Sequence, residues 1–303
     1  MFSLADLNPF SGQHLVIFGC GYVGSALAEA AQARGVRVSA LTRNAAKAAA
    51  LRARGIEVVV ADLAAHDWHA QLPAGADFVA NTVSAAAPTP EGYRASYVEG
   101  MKSILAWAER GRIGTLIYTS STGVYPQGGG ARVDETASTD GASPTGRVLV
   151  EAEQLLRAAP TNAVARSFVL RCAGIYGPGR HYLLNALRAG QTRFSGEPNF
   201  RMNLVHRDDI VAAALAGFAA PAQIASEVFN LSDGAPATRG ELVGWLAAQL
   251  GLPAPVFEGA LPSARKGGEV TPDRIIVAEK IRRTFGWTPQ FADFRAGYAA
   301  LLG

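Results

Sequence analysis

The chain has 303 residues, 49% apolar and 17% charged, with a formal net charge of +3; this is enough for one or two domains and is an ordinary composition for a soluble globular protein. No apolar run approaches the ~18 residues of a membrane helix, and the start MFSLADLNPF lacks the basic and apolar regions of a signal peptide, so no membrane association is expected. The slight basic excess is scattered, which argues against a nucleic-acid partner, and the two cysteines, Cys20 and Cys172, form no disulfide framework, which fits a reducing cytoplasm.

Leu15–Phe18 is an apolar run expected as strand 1. Gly19, Gly21 and Gly24 follow, then a small-residue helical pattern over 25–34 that ends at Gly35. Strand, glycine turn and helix together form the Gly-x-Gly-x-x-Gly dinucleotide fingerprint. The first glycine permits a tight turn, the second lets backbone approach a pyrophosphate, and the third lets helix pack on sheet. The helix N-terminus then faces the phosphate charge. Gly19, Cys20, Gly21, Tyr22, Val23 and Gly24 are therefore candidate cofactor-binding residues.

Further on, 36–41 reads as strand 2, 45–54 as a helix, 57–60 as strand 3 and 78–80 as strand 4. A long helix over 92–110, strand 5 over 115–119, a helix over 148–159 and strand 6 over 167–171 follow. The regular part closes with a helix over 211–218 and a strand over 227–231. Alternating strands and helices predict an α/β fold, a doubly wound parallel sheet of the Rossmann type, with ligand at the carboxyl ends of the strands. The last third is broken by Pro253, Pro255, Pro262 and Pro272 and by Gly267-Gly268. Helices over 240–250 and 277–285 stand out there. The expected division is 1–171 with 204–231 as the dinucleotide-binding domain, and 172–203 with 232–303 as a smaller substrate lobe.

The residues after strand 2 choose the dinucleotide. An NAD site places Asp or Glu about 20 residues beyond the glycines, on the ribose 2′-hydroxyl. Here the segment is Ala40, Leu41, Thr42, Arg43, Asn44, with no carboxylate. Arg43 can fork onto a 2′-phosphate, Thr42 can donate to it, and Lys47 adds charge, so NADP is favoured over NAD. Asp62 and Leu63 after strand 3 are expected near the adenine, and Thr82 and Val83 after strand 4 complete the cofactor set.

The segments GCGYVGSALA, YVEGMKSIL, LIYTSSTGVYP, RCAGIYGPGR and NLVHRDDIVAAAL, in this order, resemble the extended short-chain dehydrogenase/reductase superfamily of epimerases, dehydratases and reductases. The likeness continues through EVFNLSDGAPATRGELVGWLAAQLGLP and KIRRTFGWTPQFADFRAGYAALL, so it covers almost the whole chain. It implies a nicotinamide cofactor and a small-molecule substrate with a carbonyl or sugar-like group, a nucleotide sugar among the candidates. It also implies that Ser121, four residues before Tyr125 of the Val-Tyr pair, bonds the substrate oxygen as charge develops. The alternative is that Ser120, Ser121 and Thr122 only satisfy backbone at a strand end.

The resemblance also implies a Tyr-x-x-x-Lys pair on the next helix, where the ammonium lowers the tyrosine pKa. The matching segment is SPTGRVLVEAEQLL, which puts Thr145 at the tyrosine position and Leu149 at the lysine position. An aliphatic hydroxyl is too weak an acid to shuttle a proton near pH 7. The pair has not moved, since none of the eight tyrosines has a lysine four residues later. Tyr97 stands where the family usually has asparagine. Tyr125 and Tyr176, at strand ends, are the leading substitutes for the chemistry, ahead of His206, Glu151 and Glu153.

Other signals are weaker. His66 and His69 lack a third ligand, so no metal site is expected. Cys172 reads as an inert buried thiol, and Asp208 and Asp209 as helix caps. Gly128–Gly130 is either a mobile lid or a surface loop. Arg147 and Arg180 either bind an anionic substrate or are solvated. Apolar Ile104, Leu105, Val148, Leu155 and Leu156, on the helices after strands 4 and 5, serve either a homodimer contact or the core. Three functions stay open: an NAD(P)-dependent oxidoreductase or epimerase, a non-catalytic NADP(H) sensor or regulatory protein, and a non-redox enzyme that keeps the nucleotide as structure.

Overall fold

The computed structural model describes residues 8–259 and 272–302. The expectations at Pro262 and Gly267-Gly268, and on the first seven residues, lie outside the described residues. The central sheet has seven strands: β1 His14–Phe18, β2 Arg37–Thr42, β3 Glu57–Val60, β4 Ala76–Asn81, β5 Ile113–Ser121, β6 Val164–Cys172 and β7 Glu227–Leu231. Their order is β7-β6-β5-β4-β1-β2-β3. β1 pairs in parallel with β2 and β4, β2 with β3, and β4 with β5. The order reverses between β1 and β4, the switch point at whose carboxyl ends this fold class binds ligands. Every residue of β1 is buried, as a central strand covered on both faces requires, whereas the edge strand β3 buries only Val59.

The chain divides into two compact units. The first comprises Met1–Ser120, Arg147–Leu170 and Val211–Val228; the second comprises Ser121–Gly146, Arg171–Ile210 and Phe229–Gly303. The division therefore assigns 121–146, 171, 204–210 and 229–231 to the second unit, where the sequence suggested the first. In the first unit, α1 (Tyr22–Gln32) buries Val23, Leu27, Ala28 and Ala31, a single stripe at helical spacing. It is followed by α2 (Ala45–Arg52) and by α3, helical over 90–108 with a π-helical stretch at Arg94–Glu99. Phe18, Trp68, Trp107 and Tyr118 centre its core. Ile104, Val148 and Leu156 lie in that core, with Leu105 and Leu155 packed against it. The first three are thus spent on folding and are withdrawn from any dimer contact.

Helix α4 (Pro144–Arg157) starts with proline at its first position, where no N–H is needed. The second unit contains α5 (Tyr182–Arg188), α7 (Arg239–Gln249), α8 (Glu279–Phe285) and α9 (Phe294–Leu302). Between α5 and α7 comes α6 (Arg207–Phe218), which runs from the second unit into the first. A capping box fixes the start of α7: Thr238 Oγ1 accepts from Glu241 N at 3.1 Å, and Glu241 Oε2 accepts from Thr238 N at 2.7 Å. Among the described residues no helix is long and apolar enough to cross a membrane.

Candidate functional site

In the first unit the chain leaves β1 through Gly19, whose φ is +78°. A Cβ there would lie 2.6 Å from both Cα and N of Val83, so only glycine fits. Thr82 pins the turn from β4: its Oγ1 donates to Gly19 O at 2.9 Å and its N to Phe18 O at 2.8 Å. At Gly24 a Cβ would meet Thr82 Oγ1 at 2.6 Å and Ile17 Cγ2 at 3.0 Å, which is the close helix-to-strand approach expected of the third glycine. Gly21 differs. A Cβ there would meet nothing nearer than Gly19 O at 3.7 Å, so that face of the turn is open.

Gly21 is also the N-cap of α1, with no side-chain cap and no acidic residue in the first turn. The helix thus presents unfilled N–H groups behind an open glycine, a donor set that suits a pyrophosphate. Val23 is packed inward, Tyr22 is half-buried, and Cys20 is buried with its thiol pKa raised by desolvation. The sequence reading missed Asn81, the last residue of β4. It is fully buried, and its Nδ2 has no hydrogen-bond partner among the described residues. An amide closing the apolar strand ADFVAN was the visible signal.

At the end of β2, Thr42 is buried and its Oγ1 accepts from Asn44 N at 3.3 Å, so its hydroxyl is tied to the local turn. Arg43 is exposed and makes no hydrogen bond or ion pair among the described residues. Asp62 is exposed, with Oδ1 accepting from Ala64 N at 3.0 Å. Leu63 is a core residue whose side chain lies against Gly100.

In the second unit Ser121 is half-buried and caps a short 3₁₀ turn, Thr122–Val124, with its Oγ accepting from Gly123 N at 3.0 Å. That bond uses a lone pair and leaves the hydroxyl proton to donate. A Cβ on Gly146 would lie 2.7 Å from Gly123 O, so the glycine lets the first turn of α4 press against this loop. Thr145, in the same first turn, is buried, with its Oγ1 3.5 Å from Ser143 Oγ. Leu149 is also buried. Of the carboxylates further along α4, Glu151 forms a bidentate ion pair with Arg94, and Glu153 is buried and accepts from Ser120 Oγ at 2.6 Å.

The two tyrosines expected to carry protons sit in surroundings that do not suit that role. Tyr125 is 1% exposed; its hydroxyl donates to Asn230 Oδ1 and accepts from Arg171 Nη1, each at 2.8 Å. Its proton is committed inside the fold, and burial raises its pKa. Tyr176 is also buried, stacked on Tyr298 with ring centroids 4.9 Å apart, and its hydroxyl faces Gly297 of α9. Burial, followed by the negative charge of Asp233, pushes its pKa far up.

His206 is packed between Tyr176 and Phe291, and its Nδ1 accepts from Asp208 N at 3.2 Å. Asp209 does not cap α6: its carboxylate accepts from the backbone N–H groups of Gln290 and Phe291, clamping the C-terminal segment. Gly128–Gly130 is no free lid either, since Gly130 N donates to Asp273 O at 2.9 Å. The Cys172 thiol is pushed up to about 12 by burial, which suits an inert core thiol.

Asp233 gives the second unit a pH dependence. It is 4% exposed, accepts from Ala235 N at 3.0 Å, and has no partner for Oδ2 among the described residues. Burial chiefly, with the charges of Asp293 and Asp209, raises its pKa from 3.8 to about 7. Between those values the folded state holds a proton that the unfolded state has lost. Stability should therefore fall as pH rises through this window, by on the order of 2–4 kcal/mol in all, and level off above it. Asp233→Asn should remove the decline, so that urea unfolding finds the variant gaining on the parent from pH 4 to pH 8. An equal difference at both pH values would contradict this.

A model of the NAD dependent epimerase/dehydratase family matches residues 15–232. The chain belongs to that family. Protein YeeZ of Escherichia coli K12 is 30% identical over 285 residues, which covers 92% of this chain and 96% of the relative. A 2-alkyl-3-oxoalkanoate reductase of Stenotrophomonas maltophilia is 27% identical, over 91% of this chain and 94% of its own. Among solved structures, a UDP-glucuronic acid 4-epimerase from Bacillus cereus, in complex with UDP-glucuronic acid and NAD, superposes with a TM-score of 0.81. It is 18% identical, over 95% of this chain and 98% of that one, and so attests the fold. The resemblance drawn from the sequence thus holds at the level of family and fold.

Proposed function

We propose that the protein is an NADP(H)-dependent oxidoreductase acting on a carbonyl group of a small, sugar-like or nucleotide-sugar substrate. The observation that carries the reading is the uncapped N-terminus of α1 behind the open face of Gly21, a phosphate site built into the first unit. The choice of NADP rests on Arg43, uncommitted at the end of β2, and on the absence of a carboxylate beside it. When bound, the nicotinamide supplies the hydride for the carbonyl carbon.

The chain's own residues do the rest. Ser121, at the carboxyl end of β5, donates its free proton in a hydrogen bond to the carbonyl oxygen and stabilises the charge that grows there. Thr145 and Leu149, at the positions of the family's tyrosine and lysine, supply neither an acid of suitable pKa nor a cation. The proton that completes the alcohol therefore comes from water or from the substrate. Arg147 and Arg180 are the candidate cations for an anionic substrate group. A second reading, an NADP(H) sensor without turnover, draws on the same Leu149.

Arg43→Ala is expected to weaken NADP(H) binding by about 10–100-fold, the worth of a charge-assisted fork to phosphate, while leaving NAD(H) within about twofold. Fluorescence titration with both reduced cofactors measures this. Equal weakening of both would remove the phosphate argument. Consumption of NADPH with a panel of aldehydes, ketones and keto-sugars then tests turnover; tight binding without turnover of any of them would favour the sensor.

A further inference from the structure

Arg274 is 2% exposed and opens a short strand, Arg274–Ile276, that pairs in parallel with Ala131–Val133. No carboxylate pairs with it among the described residues. Its guanidinium donates instead to backbone carbonyls of one loop: Nη2 to Thr122 O at 2.6 Å, and Nη1 to Tyr125 O and, at 3.4 Å, Gln127 O. Burial lowers its pKa only to about 10, so it stays charged at neutral pH. A buried cation is costly, and this one is spent wholly on holding 122–127.

The placement bears directly on Ser121. The Thr122 carbonyl that takes Nη2 and the Gly123 N–H that holds Ser121 Oγ are the two ends of a single planar peptide group. We infer that Arg274 is a positioning residue that orients the Ser121 hydroxyl through this peptide and strengthens it as a donor. A cation on the carbonyl end polarises the peptide, the N–H draws harder on Ser121 Oγ, and the hydroxyl proton becomes a better donor. Arg171 secures the same loop from another side through the Tyr125 hydroxyl. A lysine would present its donors from one nitrogen, whereas the arginine's two terminal nitrogens divide between the Thr122 carbonyl and those of Tyr125 and Gln127.

The inference rests on the reaction proposed for Ser121, and a double-mutant cycle tests it. Arg274→Met should lower kcat about 10–100-fold, a share of what a transition-state donor is worth, with KM and NADPH affinity near those of the parent. Arg274→Lys should recover part of the loss. In the Ser121→Ala background Arg274→Met should cost no further activity, because its route to the substrate is gone.

Additive losses, or NADPH binding lost together with turnover, would make Arg274 merely structural and overturn the inference. If the Met variant does not fold, the Lys variant carries the same cycle. Hydrogen exchange at the Gly123 amide gives a readout independent of chemistry: Arg274→Lys should quicken it selectively. Unchanged exchange overturns the inference, while quickened exchange in a protein that reduces no carbonyl upholds the Arg274 contact and fails the proposed reaction alone.

Discussion

Gly19→Ala is expected to cost about 3 kcal/mol or more of stability, and with it most of the cofactor affinity. Two effects add. The alanine must adopt a φ of +78°, and its Cβ meets the backbone of Val83 at 2.6 Å. Neither backbone can yield without disturbing β4, because Thr82 ties the same turn to the end of that strand through Gly19 O and Phe18 O. Urea unfolding, with and without NADPH, measures both consequences. Gly21→Ala is the informative contrast: apart from its chain neighbours, its Cβ meets no atom of the described residues closer than 3.7 Å. It should cost the fold less while still weakening the cofactor, because the added methyl occupies the face open to phosphate.

Ser121→Ala is expected to lower kcat/KM by about 10²–10³-fold, the usual loss for removing a donor aimed at a developing oxyanion. NADPH affinity should change by less than about twofold, since the proposed phosphate site comprises Gly19–Gly24 and the N-terminus of α1. Stability should fall only modestly, by about 1 kcal/mol, because one hydrogen bond to Gly123 N is lost in a half-buried turn. Steady-state kinetics alongside thermal unfolding separates these effects. An alanine variant that keeps parental turnover would mean that Ser121 does no more than cap the Thr122–Val124 turn.

The glycine turn, the strands of the parallel sheet and the place of Arg43 after β2 were legible because they rest on local signals: apolar runs, glycine spacing and the residue that follows a strand. The candidate acids were legible only as far as their strand ends. Tyr125 looked available because its partners are remote in sequence, Arg171 on β6 and Asn230 on β7. Asp209 read as a cap for its own helix, whereas its acceptors' true donors are the amides of Gln290 and Phe291. Arg274 carried no local pattern at all; its role is set by the loop of carbonyls it closes. Helices α5 and α9 were missed, α9 although its buried Phe294, Gly297 and Tyr298 fall at helical spacing; the two-residue strands Arg201–Met202 and Ala237–Thr238 were missed because so few residues show no periodicity.

The buried settings of Tyr125 and Tyr176 sharpen the departure at Thr145 and Leu149. With these two phenols turned inward, the half-buried Ser121 is the hydroxyl proposed to meet a substrate. The proposed reaction therefore pairs a glycine-turn cofactor cradle with a hydride transfer whose proton does not come from a tyrosine–lysine pair.

The most direct measurement is deuteride transfer from NADPH labelled at C4, followed by mass spectrometry of the products from the carbonyl panel. One deuterium is expected at the former carbonyl carbon of at least one substrate, with the transfer largely lost in Ser121→Ala. Saturable NADPH binding with no deuterium in any product would contradict it.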